Sequence, residues 1–201
     1  MFITIDGPDG SGKTSLARLV AQKFSLRCDS VYTAEPTDSP LGRRIREILK
    51  AGTKEEQMML TDMFVQDRAS HINDFILPEL EKGKVVICDR YRYSTVCYQQ
   101  LQGIDVTRLI DLNKDFLRPD YAFILFVDDV DVLVKRVIAR NEEKDFFETR
   151  ALMQQSIEIY HKMQLFFPND NIIFIDATDP LEDLADIIIY LASYEPSDYV
   201  W

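Results

Sequence analysis

The chain has 201 residues, 46% of them hydrophobic, and a formal charge of −11 from 34 acidic against 23 basic residues. That length suits one domain with a sizeable core, and a surface of that sign repels polynucleotides, so no nucleic-acid partner is expected. Three cysteines with no Cys-x-x-Cys pair argue against a disulfide framework, and no apolar run approaches the ~18 residues of a membrane span, so no membrane partner is expected either. The odd cysteine count points to a reducing, cytoplasmic setting, and Met1 runs directly into an apolar stretch and not into a charged leader, so no export is expected.

In chain order, the apolar run Phe2 to Asp6 reads as a buried strand. It is followed by Gly7-Pro8-Asp9-Gly10-Ser11-Gly12-Lys13-Thr14, and Ser15 then opens a helical pattern. This fits Gly-x-x-x-x-Gly-Lys-Thr in the strand-loop-helix context that a phosphate-binding loop requires. Glycines allow a tight turn, so successive backbone N–H groups and the positive end of the next helix converge on a polyphosphate. Lys13 is expected to reach the β and γ phosphates and Thr14 to ligate Mg²⁺. Gly7, Asp9, Gly10, Ser11, Gly12 and Ser15 complete the loop's share of the cofactor site.

Further buried-strand runs are Val31 to Glu35, Val85 to Asp89, Phe123 to Asp128 and Ile172 to Asp176, with helical patterns between them. The alternation predicts an α/β fold, a five-stranded parallel sheet covered by helices on both faces in three layers. Every run ends in an acid, and strand carboxyl ends line the ligand crevice of such a sheet. Ser39-Pro40 and Asp179-Pro180 each place a capping side chain before a first-turn proline. Thr53 to Leu80 reads as one or two long helices broken near Pro78, and Asp145 to Phe166 as another long amphipathic helix. The domain is expected over 1–194, with a tail over 195–201.

Several groups carry chemistry. Val85 to Asp89 ends in a carboxylate of the type that orients Mg²⁺, and Arg90 and Tyr91 follow at once. Glu35-Pro36 closes the second strand, and Arg43, Arg44 and Arg46 occupy the next helix, with Arg43 and Arg46 on one face. Phe64 and Arg68 share a helical stripe, where a ring beside a guanidinium can hold a planar base; Phe64 alone reads as core. Thr95 and Gln99 share a face and offer a hydroxyl and an amide. Arg136, Arg140 and Lys144 recur every fourth residue in a highly charged segment that fits a mobile lid over about 139–150, or equally a salt-bridged helix. His71 and His161 have no ligand spacing and read as surface or satisfied core residues.

Together these pieces resemble the thymidylate kinases, nucleoside monophosphate kinases of the P-loop NTPase fold, from residue 1 to about 193. The motifs are the phosphate loop, Glu35-Pro36, Phe64 with Arg68, Asp89-Arg90-Tyr91, Ser94-Thr95 with Tyr98-Gln99, Arg118-Pro119-Asp120 and Ile175-Asp176-Ala177. The resemblance implies transfer of the ATP γ-phosphoryl group to dTMP with Mg²⁺, and a homodimer. It implies that Phe64 stacks on thymine, Arg68 donates to O4, and Gln99 with Thr95 meets the rest of the pyrimidine edge. Tyr98 would crowd the 2′ position, Asp9 would accept from the 3′-hydroxyl, and Arg46 and Arg90 would clamp the 5′-phosphate. Lys13, Asp89 and Arg90 would be catalytic, Glu35 would belong to the acceptor site, Arg136 to the ATP site, and Thr14 and Asp89 to the metal site.

Two departures stand out. Ala34 replaces the arginine of the familiar Arg-Glu-Pro, and Asp145-Phe146-Phe147-Glu148 lacks the usual lid arginine, while Gly10 stands where a loop arginine would otherwise sit. Arg140 or Lys144 is therefore expected to supply the missing catalytic cation. The alternatives are a deoxynucleoside kinase using Glu35 as base toward a 5′-hydroxyl, and a nucleotide-dependent switch, which lacks its guanine-reading Asn-Lys-x-Asp here.

Overall fold

The computed structural model describes residues 1–51, 53–139 and 149–193. The strands are β1 Phe2–Asp6, β2 Ser30–Ala34, β3 Val85–Asp89, β4 Tyr121–Phe126 and β5 Ile172–Asp176, all parallel in the order β2-β3-β1-β4-β5. The helices are α1 Lys13–Ser25, α2 Pro40–Ala51, α3 Lys54–Met58, α4 Leu60–His71, α5 Leu77–Glu81, α6 Arg92–Leu101, α7 Val106–Asn113, α8 Val130–Ala139, α9 Arg150–Tyr160, α10 Met163–Phe166 and α11 Leu181–Ser193. β1 and β3 are buried at every position, so their sequences are continuous apolar runs and not alternating ones. One core holds Leu16, Val20 and Phe24 of α1 and Ile188 of α11 against Ile3, Ile5 and Phe123. A second, on the other face, holds Val96, Leu109 and Tyr160 against Ala122 and Ile124. The three-layer parallel fold expected from the sequence is the fold observed.

Some boundaries differ for physical reasons. β4 begins and ends two residues early: Asp120 pairs with Phe2 through both its N–H and its Oδ2, and Asp129 turns the chain out by accepting the Asp131 N–H. The long helix pattern is not broken at Pro78. A π-turn over Ile72–Ile76 opens the backbone just before it, where a proline ring would meet the carbonyl four residues back, and Pro78 sits in the first turn of α5. Thr53 closes a capping box with Glu56. Ser39 caps α2 by accepting the Gly42 N–H, as expected, whereas α11 starts after Pro180, one residue late. The pattern over 145–166 resolves into α9 and α10, separated at His161 and Lys162; residues 145–148 lie outside the described residues.

Register then assembles the site. Asp89 lies opposite both Ile5 and Ala34, so the loop after β1, the Glu35 exit of β2 and the Arg90 exit of β3 emerge side by side at the carboxyl edge of the sheet.

Candidate active site

The loop after β1 turns through positive φ at Gly7, Gly10 and Gly12, and Gly12 is the N-cap of α1. Gly10 packs so tightly that a Cβ there would stand 2.7 Å from the Leu133 carbonyl oxygen, so this loop has no room for an arginine at that position. Lys13 is 4% exposed and donates to the Pro8 carbonyl at 2.7 Å, with Asp9 3.9 Å away. Burial, then repulsion from Arg90, lower its pKa to about 8. Thr14 donates its hydroxyl to Asp89 Oδ2 at 2.5 Å, while Asp89 Oδ1 and Ser11 Oγ are buried without a partner among the described residues. Two hard oxygen ligands with unused acceptor capacity fit Mg²⁺, which keeps most of its waters and takes few protein ligands. Asp9, Gly10, Gly12, Lys13, Thr14, Ser15, Arg90 and Arg136 line a cleft of about 270 Å³, so Arg136 does join the phosphate loop.

A second cavity, of about 190 Å³, adjoins it and is lined by Asp9, Glu35, Pro36, Arg46, Leu49, Phe64, Arg68, Arg90, Tyr91, Ser94, Thr95, Tyr98 and Gln99. Every residue expected to hold the acceptor is in that wall. Asp9 and Arg90 belong to both cavities and are ion-paired with each other. Burial alone would raise the Asp9 pKa, but Arg90 and Lys13 overcome it and hold the carboxyl below its ordinary value. Arg90 has φ 68, the one positive φ outside glycine among the described residues. Asp6 holds that turn, its Oδ1 accepting the N–H of Tyr91 and both the N–H and O–H of Ser94. Phe64 packs on Ile45, Ile48 and Leu60 while also facing the cavity, so it is core and pocket wall at once. Arg46 donates to the Pro36 carbonyl and to Asp38.

Behind the wall lies a polar network. Arg68 is 1% exposed and gives Nε and Nη2 to Glu35 Oε2 (2.9 and 2.7 Å), Nη1 to Asn113 and Nη2 to Thr95. His71 is a satisfied core residue, its two ring nitrogens bracketed by Glu35 and Thr33. His161 is at the surface. Glu35, His71 and Cys88 place ligand atoms within 4.8 Å of one another. Each already has a partner, the Cys88 thiol donating to the Arg90 carbonyl with its pKa held well above the ordinary value by burial. With Arg68 on the same carboxylate, this is a hydrogen-bonded core and not a metal centre. Sequence reasoning missed Asn113 and Asp67, and placed Asp6 at the crevice edge with the other strand-end acids without its role in holding the Arg90 turn. Asp67 pins the lip of the pocket by accepting from the Thr37 N–H and from the Thr37 and Ser39 hydroxyls. A carboxylate next to Arg68 in mid-helix was the available signal for Asp67; Asn113 offered none. Arg140 and Lys144 lie outside the described residues.

The family model described as thymidylate kinase matches residues 5–188. The chain is 38% identical to a probable thymidylate kinase of Thermococcus kodakarensis over 95% of this chain and 96% of that protein. It is 37% identical to one of Thermococcus onnurineus, covering 97% and 98%, and 32% identical to a thymidylate kinase of Brachyspira hyodysenteriae, covering 94% and 91%. A phosphate loop that shares Asp9 and Arg90 with an adjoining cavity, and a match along nearly the whole chain, lead to one conclusion: the chain belongs to the thymidylate kinase family.

Proposed function

We propose that the protein transfers the γ-phosphoryl group of ATP to dTMP, giving dTDP and ADP. The observation that carries this is the pair of cavities meeting at Asp9 and Arg90, one lined by the phosphate loop and one by Phe64, Tyr98, Gln99, Thr95 and three arginines, side chains of the kinds that suit a base and a phosphate. An oxygen of the dTMP phosphate forms the new bond to the γ-phosphorus as the bond to the β-γ bridging oxygen breaks, and ADP leaves with the electron pair. The attacking group is already an anion, so no strong general base is needed. Lys13 and Arg90 neutralise developing charge, and Arg46 and Arg90 orient the acceptor phosphate. Mg²⁺, when bound, neutralises phosphate charge; Thr14 and Asp89 are the residues that would hold it.

Base selection follows from donors and acceptors. Among the described residues, four of the five Arg68 N–H groups are engaged, by Glu35, Thr95 and Asn113, which leaves one on Nη1. A single donor suits the O4 carbonyl of thymine and opposes the 4-amino group of cytosine. Gln99 Oε1, buried and without a partner among the described residues, suits the thymine N3–H. Glu35 is occupied by Arg68 and His71, which argues against the deoxynucleoside-kinase alternative, where it would have to act as a base. An acceptor panel with ATP tests the proposal: dTMP is expected to be turned over at least tenfold more efficiently than dCMP or dGMP. Phosphorylation of thymidine with none of dTMP would reject it.

The segment over about 139–150 is proposed as a lid within a single domain over 1–194, with Arg140 or Lys144 delivering the cation that Gly10 cannot. At least one of Arg140→Ala and Lys144→Ala is expected to lower kcat by about 10²–10³. Wild-type turnover in both would refute that role. A cytoplasmic homodimer is proposed on family resemblance; among the described residues no helix is long and apolar enough to cross a membrane. Light scattering coupled to gel filtration would test the dimer, and a monomer mass would remove it.

A further inference from the structure

We propose that Asn113 is a positioning residue for base selection, its side-chain amide fixing the Arg68 guanidinium so that a single N–H is left for the acceptor base. Asn113 ends α7, 45 residues from Arg68 in sequence, and is fully buried. Its Nδ2 donates to the Leu109 carbonyl at 2.8 Å and its Oδ1 accepts from Arg68 Nη1 at 2.5 Å. Only one orientation of the amide satisfies both contacts. The reverse would set a donor against the guanidinium and an oxygen against a carbonyl oxygen.

Arg68 is thereby held on three sides. Glu35 takes the Nε edge, Thr95 takes Nη2, and Asn113 takes one of the two Nη1 hydrogens. The Tyr91 ring, 5.0 Å from the guanidinium carbon, and the Phe116 ring, 5.8 Å away, hold its plane. Without Asn113, Glu35 and Thr95 would still keep the charge in place. The Nη1 end would be free to tilt, and an amine at the 4-position of the base could then be accommodated by moving the donor aside. Asn113 does not touch the base itself; it acts through Arg68.

The inference rests on the reading that Arg68 meets the 4-position of the base. The test therefore compares dTMP with 5-methyl-2′-deoxycytidine monophosphate, which differ in the 4-position and the N3 proton that follows from it. Asn113→Leu is expected to lower the ratio of kcat/KM values for these two acceptors about tenfold while leaving KM for ATP unchanged. Asn113→Asp keeps an acceptor toward Arg68 but sets an oxygen against the Leu109 carbonyl, so it is expected to lower the ratio by less than the leucine variant does, by about threefold. If Arg68→Lys collapses the ratio and Asn113→Leu does not, the positioning role is wrong and the base reading stands. If Arg68→Lys also leaves the ratio unchanged, the base reading fails and the inference with it. Should the leucine variant not fold, proton–nitrogen NMR of the unmodified protein decides at Nη1, the nitrogen that neither Glu35 nor Thr95 holds: two distinct, slowly exchanging Nη1 hydrogens before substrate is added support the Asn113 contact, and one averaged Nη1 hydrogen signal overturns it.

Discussion

Lys13→Met is expected to lower kcat by about 10²–10³ while leaving the thermal unfolding midpoint at pH 7 unchanged or raised. The two halves come from one fact. Lys13 is buried, and burial followed by Arg90 repulsion brings its pKa from 10.5 down to about 8. Between pH 8 and 10.5 the unfolded chain holds a proton at this residue that the native state has lost, so stability from this group rises with pH through that window. Below pH 8 the native state carries the full penalty of a buried cation, which methionine removes. Binding a polyphosphate restores a counter-charge and returns the pKa upward. ATP binding at pH 8 should therefore add about half a proton to Lys13, falling toward none at pH 6.5. Calorimetry in buffers of different ionisation heat reads this directly. No uptake at pH 8, or a methionine variant with undiminished turnover, would contradict the assignment.

Glu35→Leu should cost about 3–5 kcal/mol of folding stability, measured by urea unfolding at pH 7. Its carboxylate is the counter-charge of Arg68, and both side chains are almost wholly buried, at 3% and 1% exposure. Removing one partner leaves a guanidinium with no compensating charge where it is almost wholly shielded from bulk solvent. The double variant Glu35→Leu, Arg68→Leu should recover most of the loss, because apolar residues of similar size replace the whole pair, yet it should not regain preference for dTMP. A double variant as unstable as the single one would show that the pair matters through its shape and not its charge. The solvent-exposed Arg44–Glu47 pair is the contrast: water screens it, so Arg44→Ala should leave unfolding unchanged.

These residues differ in how far they could be read in advance. Lys13 was legible because a phosphate loop is local: eight consecutive residues between a strand and a helix specify backbone, charge and metal ligand together. Arg68 and Glu35 were expected at the acceptor site and do line one cavity, but were not foreseen as partners of each other, since 33 positions separate them in the chain. His71 was read as either a surface or a satisfied core residue; it is the second, and nothing local indicated that Glu35 would satisfy it. The π-turn before Pro78 was missed for a related reason: a helix that packs well on both sides of a proline can stretch one turn more cheaply than it can end.

Length, charge, the alternation of apolar runs with amphipathic ones, and the phosphate loop determined the fold class, the parallel sheet and the donor half of the site from the sequence alone. Those are properties of short stretches, governed by backbone preference and the period of apolar burial. Only the tertiary structure decided that Asp9 and Arg90 stand at the junction of two cavities, that Asp6 holds the left-handed turn at Arg90, and that Asn113 completes the cage around Arg68. Each depends on the direction of a hydrogen bond between residues 45 or more positions apart. Such directions are set by how strands register and helices pack, and no local pattern of residue types encodes them.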